Sequence, residues 1–247
     1  MNQTIQELYN RKSVRVYSDE PISDEEKKMI MNAALQAPTA GNMALYSMID
    51  IQDQEVKEIL AKRCDNQPFI AKAPFVLVFL ADYQKWYDMF NEYTIGVPQL
   101  EESDLFLAAQ DCIIAAQNAV VAAESLGIGS CYIGDILENF EANKELLNLP
   151  KYAVPFMMLV FGKPTEQQKR RIKPKRFDLD DMVHINSYHH KSIEETKEMF
   201  KKQSGKNDEE LANYIASFAK RKFFSDFRVE MNRSARAIID SWVKKED

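Results

Sequence analysis

Glycine is scarce in this chain, and the glycine-rich nucleotide-binding patterns are missing from it. The 247 residues include seven glycines, where average usage would give about 17. Gly127-Ile-Gly129 is followed by Tyr132 where the dinucleotide fingerprint needs glycine, and the Gly129 to Gly134 spacing lacks the lysine of a P-loop. GxSxG does not occur either. These absences argue against a Rossmann dehydrogenase, a P-loop ATPase and a serine hydrolase.

Cysteine is also scarce, and the chain has no excess of positive charge. The three cysteines form no CxxC pair, which argues against a disulfide framework and against a cysteine-rich zinc site. Lysine and arginine number 32 against 38 acidic residues, and the net charge of −6 is unlike that of a dedicated nucleic-acid binder. The opening MNQTIQELYNRKS has no apolar core of a signal peptide. We therefore expect a reduced, cytoplasmic protein with no metal and no nucleic-acid or membrane partner.

Hydrophobic patterning predicts one α+β domain that ends in a run of helices. The predicted strands cover residues 45–52, 75–81, 129–133 and 154–162. The predicted helices cover residues 4–10, 23–37, the segment after Asp53, 103–126, 138–147, 192–202, 208–222 and 226–246. Capping boxes at Thr4-x-x-Glu7 and Ser23-x-x-Glu26 indicate where the first two helices begin.

The predicted helix 103–126 is apolar around nearly its whole circumference. Polar residues interrupt it, so no apolar run reaches the roughly 18 residues of a membrane span. We therefore expect a buried central helix, whose alanines allow another helix, including that of a second copy, to approach closely. The polar residues predicted to form one stripe along it are Gln110, Asp111, Gln117, Asn118 and Glu124.

Three segments carry residues suited to binding chemistry. In an extended stretch Arg11, Ser13 and Arg15 project to one face, which suits a phosphate monoester, although a solvated basic turn has the same pattern. The cluster KRRIKPKR at 169–176 contacts phosphate, nucleic acid or only water. The small-residue loop at 37–42 allows a flat ligand to approach the backbone, or is an ordinary connection.

Five segments occur in a fixed order: RKSVRVYSDEPIS (11–23), APTAGNMALYS (37–47), CDNQPFIAKAPFVLVFLADY (64–83), AAQNAVVAAESLGIGSCYIGD (115–135) and KPKR (173–176). Together they resemble the FMN-dependent nitroreductase family, especially its NADPH-preferring flavin and nitro-reductase branch. The resemblance covers about residues 4 to 190. It implies an α+β three-layer sandwich, with a central mixed sheet flanked by helices, in an intertwined homodimer. Residues 1–190 would form the FMN-binding domain and residues 191–247 a helical extension of it.

The resemblance also assigns cofactor-binding residues. It implies a clamp on the FMN phosphate at Arg11, Ser13 and Arg15, with Lys12 beside them, and Arg11 stands where histidine is common in the family. Gln67 matches a position that hydrogen-bonds the edge of the isoalloxazine ring.

Further cofactor-binding residues follow from the same resemblance. The segment 132–134 matches the backbone near flavin N5, and Asp135 stands where a second glycine is common. The residues of this ring segment are Tyr132, Ile133, Gly134 and Asp135. Thr39, Ala40 and Gly41 match the loop that the other subunit donates. A late basic pair is matched by Lys173 together with Lys175 or Arg176.

The activity implied by the resemblance is hydride transfer from NADPH or NADH through flavin N5 to nitroaromatic, quinone or flavin acceptors. We expect a ping-pong reaction that needs no catalytic side-chain acid or base, since the cofactor carries the redox step. One alternative is a narrower flavoenzyme that reduces a single quinone or halogenated phenol. Another is a non-enzymatic protein that binds anions or nucleic acid through residues 169–176.

Overall fold

The computed structural model describes residues 1–244, and within them the chain forms twelve α-helices and four strands. The strands are β1 (Tyr46–Asp50), β2 (Phe75–Asp82), β3 (Gly129–Ile133) and β4 (Ala153–Gly162). The first six helices are α1 (Gln3–Asn10), α2 (Asp24–Leu35), α3 (Gln54–Arg63), α4 (Pro68–Ala71), α5 (Gln84–Tyr93) and α6 (Glu102–Ser125). The other six are α7 (Phe140–Leu146), α8 (Glu166–Arg170), α9 (Leu179–Met182), α10 (Ile193–Ser204), α11 (Asp208–Lys222) and α12 (Asp226–Val243).

The four strands form one sheet in the order β1-β2-β4-β3, and all three pairings are antiparallel. The sheet of the described residues is therefore not the mixed sheet that the resemblance implies. Its parallel component is a single bridge between Ser13 and Ser130, where the segment after α1 runs alongside β3.

Strand β2 separates two hydrophobic layers, which makes the fold a three-layer sandwich. Its residues alternate between the two faces of the sheet, as the period of a strand requires. Phe75, Leu77 and Phe79 face a cluster that includes α2 and α6, whereas Val76 and Val78 face a cluster that includes α3 and α4. The predicted α+β architecture with helices on both faces is confirmed.

Helix α6 is buried along its alanine-rich side, as predicted, but its neighbours are α2 and the sheet of the same chain. The expected close approach of another helix is confirmed by α2, and the contact of α6 with a second copy stays a prediction. The predicted polar stripe is wrong in one place, because Asp111 is 3% exposed and lies among the alanines. By length and composition α6 is the one helix among the described residues that satisfies the requirements of a membrane span, and half of its apolar window is buried here.

The segment 13–18 lies across the ends of β3 and β4 because two glycines make room for it. Val14 N donates to Ser130 O at 3.0 Å, and Ser18 N donates to Lys163 O at 2.8 Å. A Cβ on Gly129 would lie 2.3 Å from a methyl carbon of Val14, and a Cβ on Gly162 would lie 2.2 Å from the ring of Tyr17. Gly129 and Gly162 are paired in the sheet, so together they form the seat of this segment.

Helix starts follow the predicted capping chemistry at Ser23 and Asp53 but not at Thr4. Ser23 and Glu26 form the predicted capping box of α2, and Asp53 caps α3. Helix α1 instead begins after Asn2, whose side chain accepts a hydrogen bond from Ile5 N. Asparagine is at least as good a cap as threonine, so the helix starts earlier.

Two compact units make up the chain. The first contains Met1–Arg171 and the chain from Glu230 onward, because the later part of α12 returns to it, and the second contains Ile172–Val229. The division predicted at residue 190 stays a prediction. The end of the predicted helix 226–246 lies partly outside the described residues.

Candidate functional site

The residues predicted to clamp a phosphate lie on the extended segment between α1 and α2. Arg11 is partly buried, and its Nη1 atom is buried with no hydrogen-bond partner. Arg15 is exposed, and its guanidinium carbon lies 5.6 Å from the ring centre of Phe69. Lys12 is engaged elsewhere, since its Nζ atom donates to Lys169 O and Arg171 O at 2.6 Å each. The guanidinium groups of Arg11 and Arg15 therefore flank Ser13 on one surface segment, and both have N–H donors available for a ligand.

Gln67 lies at the start of α4, two residues before Phe69. Its backbone N donates to Ala61 O at 2.8 Å, and its Nε2 atom donates to Cys64 O at 2.9 Å. These bonds fix the side chain and leave its amide oxygen available as an acceptor. Because Arg15 stacks on Phe69, the fold brings Gln67 to the same region as the clamp segment.

The segment Tyr132 to Asp135 approaches the same region from the end of β3. Arg11 and Tyr132 are close enough for their charges to interact, but burial dominates and raises the pKa of the Tyr132 phenol to about 12. The phenol is therefore neutral at physiological pH and donates to Gln117 Oε1 at 3.1 Å. After Ile133 the chain enters a 3-10 turn over Gly134–Leu137.

Asp135 connects this turn to the α3–α4 region. Burial of the Cys64 thiol raises its pKa, and the negative charge of Asp135 raises it further. Asn139 also donates to Arg63 O at 3.1 Å. The fold therefore brings three of the predicted segments together: Arg11 to Arg15, Gln67, and Tyr132 to Asp135.

The loop that contains Thr39, Ala40 and Gly41 is held elsewhere in the same unit. The Thr39 hydroxyl donates to the Asp111 carboxylate on α6, and Ala40 N donates to the same carboxylate at 3.1 Å. Within residues 1–244 no hydrogen bond joins this loop to the clamp segment, to Gln67 or to residues 132–135. The hydrogen bonds of this loop therefore run to α6 and not to the other predicted contacts.

The late basic residues belong to the second unit. Lys175 Nζ donates to Lys202 O at 2.9 Å, Lys173 is half-buried, and Arg176 is exposed. In the same unit Lys202 pairs with Asp178 at 2.8 Å, and Phe177 packs edge-on against Phe200. The binding roles predicted for Lys173, Lys175 and Arg176 stay predictions.

Sequence reasoning missed several residues that build this region. The Ser130 and Tyr17 hydroxyls are buried with no hydrogen-bond partner, and burial raises the pKa of Tyr17. Phe69 supports Arg15, and Asp111 holds the loop at 39–45. The spacing of Tyr17 was an available signal, because it continues the same-face series of Arg11, Ser13 and Arg15.

Comparisons with known proteins identify the family of this chain. The sequence profile described as "Nitroreductase family" matches residues 8–163. The chain is 31% identical over 245 residues to "FMN reductase [NAD(P)H]" of Bacillus subtilis, covering 92% of this chain and 95% of that protein. It is 31% identical over 250 residues to "Oxygen-insensitive NADPH nitroreductase" of Salmonella typhimurium, covering 100% and 98%.

A solved structure is similar over the same extent. The "NADPH:FMN oxidoreductase" of Vibrio harveyi, determined with NAD⁺, superposes with a TM-score of 0.80 at 26% identity and covers 96% of this chain and 98% of its own. The profile spans most of the first unit, and the relatives match over nearly their whole length. This chain is therefore a member of the nitroreductase family.

Proposed function

We propose that this protein is an FMN-dependent oxidoreductase that takes hydride from NADPH or NADH and reduces small electron-poor acceptors. Nitroaromatics, quinones and free flavins are the acceptors that an open surface site accommodates. The family and the names of the relatives support a flavin reductase, and the side chains around Arg11 support the mode of binding. The expected cytoplasmic location stays a prediction.

The orphaned Nη1 atom of Arg11 is the observation that carries this proposal. A buried N–H of a cation with no acceptor is costly, and a bound anion removes that cost. The dianionic phosphate of FMN supplies several acceptor oxygens, and two guanidinium forks with a hydroxyl match its geometry. Arg11, Ser13 and Arg15 would hold the phosphate, while Lys12 fixes the end of α8.

The remaining contacts would orient the flavin ring. Gln67 offers an amide oxygen to the polar edge of the ring, and the backbone at 132–135 would face it. FMN, when bound, supplies the site that accepts and releases hydride, while the protein positions it. The neutral Tyr132 adds no charge beside the ring, because burial keeps the pKa of its phenol near 12.

Proton delivery needs no dedicated side chain in this proposal. The three histidines occur together in one segment of the sequence, at 184, 189 and 190, and none belongs to the segments proposed to contact the ring, at 67 and 132–135. In an open site water supplies protons to the reduced acceptor. Nucleotide and acceptor would occupy the same surface in turn, which gives ping-pong kinetics and relies on stacking geometry for the hydride step.

A homodimer would complete the site. The outward side of α6 carries Phe106, Ile113 and Ile114, which are 59%, 43% and 39% exposed. Apolar side chains at this spacing on one helix favour burial against another surface. Within residues 1–244 the loop at 39–41 makes no hydrogen bond to the clamp residues, which agrees with its contributing to the site of a second copy.

Flavin titration tests the proposal. The purified protein is expected to carry or take up FMN, visible as the absorbance of bound flavin, and to oxidise NADPH or NADH when an acceptor is present. Arg11→Ala should weaken FMN binding about tenfold, the effect of one charge-assisted hydrogen bond. Lys169→Ala is the matched control, because it removes a nearby cation that pairs with Glu166 at 2.7 Å. A protein that binds no FMN contradicts the proposal.

A further inference from the structure

The loop at 39–45, between α2 and β1, has an unusual backbone. Gly41, Asn42 and Ala44 all have positive φ, at 55°, 59° and 48°. Glycine and asparagine adopt this region readily, but alanine does so only against a steric preference. Backbone of this kind persists where the surrounding structure imposes it, and it concentrates at functional sites.

A single buried carboxylate imposes that shape. The Asp111 carboxylate accepts hydrogen bonds from the Thr39 hydroxyl and Ala40 N at the start of the loop, and from Leu45 N at its end at 3.0 Å. The Thr39 hydroxyl in turn accepts from Ala44 N at 2.7 Å, which fixes the strained residue. Within residues 1–244 no cation lies within salt-bridge distance of Asp111, so these donors, together with the charge of nearby Lys85, compensate its burial.

Helix α5 holds the loop from its other side. Trp86 Nε1 donates to Met43 O at 2.6 Å, and Lys85 Nζ donates to Tyr46 O at 3.0 Å. The base of the loop is therefore fixed from two helices, while Gly41 and Asn42 at its tip are exposed. A rigid base under an exposed tip of small residues keeps the tip in one position for a binding partner.

We propose that Asp111 is a positioning residue, which holds the 39–45 loop in the shape that contacts the bound flavin. This inference rests on the proposed function, because the contact to the flavin belongs to that proposal. Asp111 is buried and acts through Thr39, Ala40 and Leu45, so it touches neither flavin nor substrate itself.

Two variants of the anchor test the inference. Asp111→Asn keeps the shape of the side chain but replaces an acceptor oxygen with an N–H₂ group that opposes the loop donors. Thr39→Val removes the hydroxyl and leaves the bonds from Ala40 N and Leu45 N. We expect Asp111→Asn to weaken FMN binding about tenfold and to change the visible circular dichroism of the flavin at saturating FMN. Thr39→Val should give a smaller change of the same kind.

Asn118→Ala is the matched control, because it removes another hydrogen bond from α6 to a neighbouring segment, that of Asn118 Nδ2 to Ala33 O at 3.2 Å. It should lower the melting temperature and leave the flavin dichroism and affinity unchanged. Unaltered flavin signals in both anchor variants, or equal changes in Asn118→Ala, overturn the positioning role. A wild-type chain that binds no FMN overturns the proposed function instead. If Asp111→Asn does not fold, the comparison of Thr39→Val with Thr39→Ser, which keeps the hydroxyl that bonds Asp111 and Ala44 N, decides, and equal flavin signals in these two variants overturn the inference.

Discussion

The segment 13–18, which carries Ser13 and Arg15, packs closely against the sheet because Gly162 has no side chain. A Cβ there would lie 2.2, 2.7 and 2.9 Å from three ring atoms of Tyr17, well inside van der Waals contact. Gly162→Ala must therefore push the ring and the segment 13–18 away from the sheet. Overpacking of this kind typically costs about 1–3 kcal/mol.

Thermal unfolding and flavin titration measure the effect. For a chain of this length each kcal/mol lowers the melting temperature by about 2–4 °C, so Gly162→Ala should lower it by about 2–12 °C. Because Arg15 and Ser13 lie on the displaced segment, FMN affinity should fall as well. Circular dichroism follows the unfolding, and flavin fluorescence follows the binding.

A double-mutant cycle separates the clash from other effects of the substitution. The three nearest atoms all belong to the ring that Tyr17→Ala removes. The Tyr17 hydroxyl has no hydrogen-bond partner, so this truncation loses only packing. We expect the double variant to be no less stable than Tyr17→Ala alone, with a coupling of about 1–3 kcal/mol. Additive losses, or an unchanged melting temperature for Gly162→Ala, would refute the reasoning.

Three further predictions concern the clamp, the histidines and pH. Arg15→Ala should weaken FMN binding at least about tenfold, and an unchanged dissociation constant removes Arg15 from the clamp. His184→Ala, His189→Ala and His190→Ala should each keep kcat within about tenfold, since a general acid or base contributes about 10²–10⁴; a loss beyond a hundredfold with FMN bound contradicts this. Arg233 lowers the pKa of Glu230 from 4.5 to about 2, so the stability that Glu230 adds is present above about pH 4.5 and lost as the pH falls towards 2. In Glu230→Gln the urea midpoint of unfolding should depend less on pH over that range. A pH dependence equal to that of the wild type contradicts the assignment.

Periodicity was sufficient to predict an α+β domain with a central buried strand, whereas the sandwich was implied by the family resemblance. The continuous apolar run of β2 predicted a central strand, and β2 lies between β1 and β4 with both faces covered. The apolar circumference of α6 predicted a buried helix. The signal of β2 is the stronger of the two, because a strand buried on both faces leaves no position for a solvated polar residue.

Hydrogen bonds between residues that lie far apart along the chain could not be predicted from the sequence. Asp111 looks like part of a solvated stripe because its partners lie up to 72 residues away along the chain. Helix α5 was not predicted for a related reason. Its residues are a mixture of aromatic and polar types, and two of them, Trp86 and Lys85, form hydrogen bonds to a distant segment that the sequence does not reveal. The same-face spacing of Arg11, Ser13 and Arg15 suggested a phosphate clamp, but it gave no sign of the buried Ser130 hydroxyl on the neighbouring strand.

The return of α12 to the first unit gives the order of synthesis a physical consequence. Ser234, Ile238 and Trp242 are all buried, and Trp242 packs edge-on against Tyr152 at 5.4 Å. A ribosome that has made only the first 229 residues therefore holds a first unit whose interior is open where these side chains belong. Until translation passes Trp242, that apolar surface remains available to chaperones and proteases, so the core of the first unit closes only after the whole second unit has been synthesised.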